Sequence, residues 1–205
     1  MTTLDQLQKD LQKALELGDL PRIAEVRRSI VAGFPESEAA AEAHYKLGLN
    51  ALFLEGDLGA AIEAFRAAAK LKSAAWNQAA RTSLGIALLR EGKPQQAVFE
   101  LRKAASQKPP NLAAVQALSM VVSIFRQEKN AKEADRARAE QIKLLEQVAA
   151  GSDPASAALA TFFLGVEHKF DGQRELAKKT LQAALAKGLL EPGFKTKAEE
   201  ILREL

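Results

Sequence analysis

Residues 84–104 read Leu84-Gly85-Ile86-Ala87-Leu88-Leu89-Arg90-Glu91-Gly92-Lys93-Pro94-Gln95-Gln96-Ala97-Val98-Phe99-Glu100-Leu101-Arg102-Lys103-Ala104. Ala97, Leu101 and Ala104 follow one another at steps of four and three, which sets them on one face of a helix; Leu84 and Leu88 do the same in the segment before. Gly92 lies between the two groups and offers the left-handed backbone at which the first helix stops. Pro94 falls in the first turn of the second helix, where a missing N–H costs little. The stretch predicts two antiparallel helices, closed by Pro109.

The same arrangement recurs along the chain, and such a repeat governs the whole fold. Leu47-Gly48, Gly56-Asp57, Ala61-Ile62, Phe65 and Ala68 make one copy, with an extra residue between Gly48 and Gly56. Leu164-Gly165, Gly172, Ala177, Leu181 and Ala184 make another. Val121, Val122, Phe125, the Lys129-Asn130 turn and Ala134 make a degenerate one, with Lys129 in place of the turn Gly. An N-terminal copy has Leu11, Gly18-Asp19, Ala24 and Pro35. Pro21 and Asp153-Pro154 open helices in the manner of Pro94, and Thr3-x-x-Gln6 reads as a capping box. The expected helices are 3–17, 20–33, 37–55, 58–71, 74–91, 94–106, 111–128, 131–150, 154–170, 173–187 and 193–204.

Pairs this small cannot bury both faces and must stack. The units run at about 3–35, 37–73, 74–109, 111–150 and 154–190. The last helix, within 192–205, is expected to cap the final pair. No linker exceeds a few residues, so residues 1–205 are expected to form a single domain.

Composition agrees with an all-α fold. Of 205 residues, 40 are Ala and 29 are Leu, and aromatics are 5 %; the chain is too Ala/Leu-rich and too poor in β-branched residues for a sheet protein. There is no Cys, which excludes disulfides, thiolate nucleophiles and Cys-based zinc sites. His44 and His168 fall in different units and read as packed core residues. No glycine-rich phosphate motif or nucleophile–His–acid constellation is present. No catalytic residue, metal site or cofactor is therefore expected, and the chain is not expected to be an enzyme. The N-terminus MTTLDQLQKDLQKAL lacks a signal-peptide layout, and no apolar run is long enough to span a membrane. A cytoplasmic location is the expectation.

Leu84-Gly85-x-x-Leu88, Gly92, Ala97-Val98-x-x-Leu101-x-x-Ala104 and Pro109 together resemble the tetratricopeptide repeat family, as do Leu164-Gly165 through Ala184. The unit at 41–73 is similar apart from its extra residue. The unit at 113–149 departs most, with Arg138 where the family prefers a large apolar side chain. The resemblance implies a right-handed α-solenoid of about five helix pairs whose first helices line a concave groove for a peptide or a helix of another protein. Carried onto the matching positions, the groove residues are Tyr45, Leu49, Leu52, Phe53, Thr82, Ile86, Leu89, Arg90, Phe162, Val166, Lys169 and Phe170. Gln116, Met120 and Ser123 are the corresponding set in the degenerate unit. A carboxylate clamp of the kind some members use matches only at Lys46 and Asn50; Ser83, Gln116 and Met120 stand at its other positions.

Charge is uneven. Residues 1–65 carry −5, residues 66–108 carry +7 and residues 109–205 carry +1. The basic block comprises Arg66, Lys70, Lys72, Arg81, Arg90, Lys93, Arg102, Lys103 and Lys108. The leading expectation is an adaptor or scaffold for a protein or peptide partner, an acidic one where the block takes part. The alternatives are an acidic-protein or nucleic-acid binder acting through residues 66–108, and a self-assembling scaffold. Trp76, beside the block, reads as a packing anchor or as a stacking platform.

Overall fold

The computed structural model describes residues 2–71 and 73–205. Among them are eleven helices and no strand. They group into two compact units, residues 1–104 and 105–205. In the first, α1 (Leu4–Leu17), α2 (Leu20–Gly33), α3 (Glu38–Asn50), α4 (Leu58–Lys70), α5 (Asn77–Arg90) and α6 (Pro94–Ala105) follow in order. The second holds α7 (Leu112–Gln127), α8 (Ala131–Ala149), α9 (Pro154–Phe170), α10 (Arg174–Ala186) and α11 (Pro192–Glu204).

Local chemistry sets the boundaries. The side chains of Asp19, Ser37, Asp57, Asn111, Asn130 and Asp153 each accept a hydrogen bond from the backbone N–H three residues on, and so satisfy a free helix-end donor. Thr3 does likewise for Gln6, but the Gln6 side chain donates to Asp10, so the reciprocal half of the expected capping box is not made. Four pairs turn through the same hydrogen bond: the N–H of Asp19, Lys93, Asn130 and Gln173 reaches back to the carbonyl of Ala14, Leu88, Phe125 and His168, at 2.9 to 3.0 Å. The residue before each donor is left-handed. It is Gly18, Gly92 and Gly172 in three cases and Lys129, at φ 58°, in the fourth.

The extra residue before Gly56 is absorbed inside the helix. Ala51–Glu55 form a π-helical segment continuing α3, and Gly56 still ends it at φ 70°. Insertion of one residue into an α-helix produces this kind of bulge. α5 begins three residues later than expected because Ser73 holds the chain in a turn: its hydroxyl accepts from the Trp76 N–H and donates to Glu38.

Within a pair, the two helices meet at a glycine. A Cβ at Gly85 would lie 2.7 Å from Leu101 Cγ, one at Gly165 2.6 Å from Leu181 Cγ, and one at Gly48 2.7 Å from the Phe65 ring. Phe65, Leu101 and Leu181 are fully buried. They stand nine residues after their turn residue, and the small residues Ala61, Ala97 and Ala177 stand five after it. Counted in this way, the N-terminal pair places Ile23, not Ala24, on the buried face; Ile23 is buried and Ala24 only half-buried. α11 closes the second unit, burying Ala198 and Ile201 against Phe162, Leu181 and Ala184.

Two stability outcomes follow from this packing. Gly85→Ala should cost about 1–3 kcal/mol by overpacking, and much less in a Leu101→Ala background. A double-mutant cycle in denaturant that shows equal costs in both backgrounds would reject the close approach. Lys129→Gly should raise stability by about 1 kcal/mol by releasing a left-handed non-glycine residue, visible as a higher denaturation midpoint.

Candidate interaction clefts

In the second unit α7 and α9 both pack on α8 and leave between them a cleft of about 430 Å³. Its apolar lining is Val115 and Leu112 from α7 and Leu159 and Phe163 from α9. Val115 is buried and the other three are half-buried, because they also belong to the α7–α8–α9 and α9–α11 cores. Phe163 is fixed by edge-on contacts with Phe162 and Phe194, with ring centroids 5.3 and 5.8 Å away. Gln116 and Ser119, both exposed, supply polar groups at the mouth, with Gln141 and Glu167.

Glu167 is held by Arg138. The guanidinium donates to Glu167 at 2.7 Å and to Asp171 at 2.7 Å, and it lies 4.8 Å from the Phe170 ring centroid. Arg126 lies 5.7 Å from the same ring. The Arg138 hydrogen bond holds the Asp171 carboxyl below the usual aspartate range. Arg138 therefore ties α8 to the following helix α9 by charge, whereas the matching residues Phe65, Leu101 and Leu181 pack on the glycine of the first helix of their own pair.

The residues expected to line a groove divide into three groups. Phe162, Val166 and Lys169 face α11: Phe162 is only 3 % exposed and packs on Phe194, Val166 joins the same core, and Lys169 pairs with Glu204. The terminal helix thus occupies the α9 face on which these three were expected to meet a partner. Phe170 stays exposed between Arg126 and Arg138. In the first unit Leu52 is buried, a consequence of the π segment, and Tyr45 packs against Phe65 and Trp76. Thr82 spends its hydroxyl on the Gln78 carbonyl. Leu49, Ile86 and Leu89 are half-buried, and Phe53 is 63 % exposed with the Arg90 guanidinium 5.5 Å from its ring. Gln116 and Ser123 are exposed and Met120 half-buried. Sequence reading missed Ser119, Leu159 and Phe163; Ser119 stands three residues after Gln116, Leu159 three before Phe162, and Phe163 four after Leu159.

Much of the basic block is engaged. Arg81 joins Glu100 at 2.5 Å with both side chains mostly buried, Arg66 joins Glu63, and Lys93 joins Glu91. Lys103 sits 4.1 Å from the Phe99 ring centroid, Arg102 is half-buried, and Lys70 and Lys108 are exposed. Lys72 lies outside the described residues. Lys46 rests over Trp76 at 5.4 Å, so Trp76 packs among Tyr45 and Lys46. Burial pushes the His44 pKa down, and His168 Nδ1 lies 3.1 Å from the Gln173 side-chain oxygen. Among the described residues no group of three His, Asp or Glu side chains could hold a metal ion, and no helix is long and apolar enough to cross a membrane.

Residues 41–74 match the family model of the tetratricopeptide repeat. Solved structures share the fold. MamA is 19 % identical, covering 97 % of this chain and 99 % of its own, with a TM-score of 0.51. YrrB, described as a TPR protein with an unusual peptide-binding site, is 18 % identical over 93 % and 88 %, TM-score 0.53. PilW, described as a widely conserved type IV pilus biogenesis factor, is 15 % identical over 93 % and 80 %, TM-score 0.52. No curated protein matches the sequence significantly. The helix-pair fold is that of tetratricopeptide-repeat proteins, and the α3–α4 pair carries the repeat the family model matches.

The Arg138 bridge has a pH signature. Asp171 titrates below its ordinary value of 3.8 in the fold, so its stabilisation is complete above that value and is lost as pH falls through the lower folded pKa. Arg138→Met should lower the thermal midpoint near neutral pH and remove this part of the acid dependence. Parallel pH profiles for the two proteins would exclude the bridge.

Proposed function

We propose that the chain is a non-enzymatic adaptor that binds a peptide or helix of a partner protein on the first-helix faces of its repeats. The α7–α9 cleft carries this reading. Its apolar lining takes one large apolar side chain, and the amide and hydroxyl groups at its mouth hydrogen-bond a partner's backbone. In the first unit, Leu49, Phe53, Ile86, Leu89 and Arg90 offer a second apolar surface with a cation beside it. An acidic residue next to the partner's apolar anchor suits Arg90.

Peptides selected on the wild-type chain from a display library provide the test. Ser119→Arg fills the mouth of the α7–α9 cleft from an exposed position, and Leu89→Glu charges the first-unit surface. Affinity should fall roughly tenfold or more in at least one variant, as for loss of an interface anchor. Unchanged affinity in both, with helical content intact, would overturn the reading.

A further inference from the structure

The buried stripe of α2 runs Ile23, Val26, Arg27 and Ile30. An arginine in that stripe is unexpected. Arg27 stands nine residues after Gly18, the place held by Phe65, Leu101, Leu181 and Arg138 in the other pairs. Arg138 meets two carboxylates there. Arg27 is only 9 % exposed, and among the described residues it makes no hydrogen bond or ion pair. No fully buried side-chain nitrogen or oxygen lacks a partner, so the guanidinium opens onto the space beside it.

That space is a cleft of about 220 Å³ between α1 and α3, over α2. Leu11 and Leu15 wall it on one side, and Gln8 and Glu42 contribute polar groups. A buried charge without a partner is costly, and burial pulls the Arg27 pKa down while Glu42 opposes the shift. Glu42 lies beyond ion-pair distance, so neither group satisfies the other.

The pair selects a ligand class. Arg27 offers only donors and Glu42 only acceptors. A carboxylate drawn to Arg27 would be repelled by Glu42, in a segment that already carries −5, and an ammonium group would meet the reverse problem. A primary carboxamide has a carbonyl for Arg27 and an N–H for Glu42, with no net charge to repel. We propose that this cleft is a binding site for an asparagine or glutamine side chain of a partner peptide, with Leu11 and Leu15 packing on the apolar residue beside it.

The probe is the peptide acetyl-Ala-Leu-Gln-Leu-Ala-amide, with Glu or Leu replacing its Gln in two controls, titrated into the full ¹⁵N-labelled chain. The Gln peptide should shift the amides of Leu11, Leu15 and Ala43 and bind roughly tenfold tighter than either control, the scale of one hydrogen bond to a charged group. Glu42→Gln should reverse the preference in favour of the Glu peptide, and Arg27→Met should abolish it. Equal binding of all three peptides, or an unchanged preference in Glu42→Gln, would overturn the proposal. Should Arg27→Met fail to fold, the Glu42→Gln arm still decides. Shifts confined to Leu112 and Phe163 would also reject this site while supporting the α7–α9 cleft.

Discussion

The architecture depends on how closely two helices of a pair approach. At Gly48, Gly85 and Gly165 the first helix presents bare backbone, and a bulky apolar side chain from the second helix lies within 2.6 to 2.7 Å of where a Cβ would stand. A core packed to this density has no room for one further methyl group without a shift. The remaining two pairs lack the glycine. Counted back from the turn residue, Leu11 and Val122 stand in its place, and in both the residue opposite in register is an arginine, Arg27 and Arg138. In both pairs the glycine and its apolar partner are replaced together: Arg138 turns to Glu167 and Asp171 of α9, and Arg27 opens onto the cleft that Leu11 walls.

The π-helical segment shows the same constraint along the helix axis. An inserted residue would rotate everything after it by about 100°, the turn per residue of a helix with 3.6 residues per turn. Ala51–Glu55 take up the insertion locally, so Gly56 and Asp57 still form the turn and cap, and Phe65 still reaches Gly48. The cost falls at the end of α3, where Phe53 and Leu54 are left exposed, Phe53 beside Arg90. Irregular helix turns of this kind occur often at functional positions, and here the irregularity leaves two consecutive apolar side chains exposed.

Helices, turns and caps were legible in the sequence because each is fixed within a few residues. A glycine at Gly92 or an aspartate at Asp153 acts on its own backbone, and the recurrence of the pattern removed ambiguity. The candidate site was legible only in part, because exposure is a non-local property. Phe162, Val166 and Lys169 have the register of groove residues, but α11 follows the last pair and covers them. Leu159 and Phe163 become cleft-lining because α8 sets α7 and α9 apart, which no spacing within α9 reveals. Ala24 was misplaced by one position because an alanine is a strong local mark of the motif, whereas Ile23 is the residue the turn at Gly18 carries inward.

Charge follows the same division between local and non-local. The +7 of residues 66–108 suggests an open basic face, but Arg66, Arg81 and Lys93 each find a carboxylate nearby, which consumes the field that would attract a partner; the more exposed pairs of Arg66 and Lys93 add little to stability. The cation with most recognition power is in the acidic segment, where the sequence total points the other way. Arg138 and Arg27 occupy one register position and differ in what the following first helix supplies. α9 brings Glu167 and Asp171 to Arg138, and the charge becomes a structural tie. α3 brings Glu42 within electrostatic influence of Arg27 but beyond ion-pair reach, and the charge is left facing a cleft. Whether a buried arginine is structural or receptive is settled by where the next helix places its carboxylates.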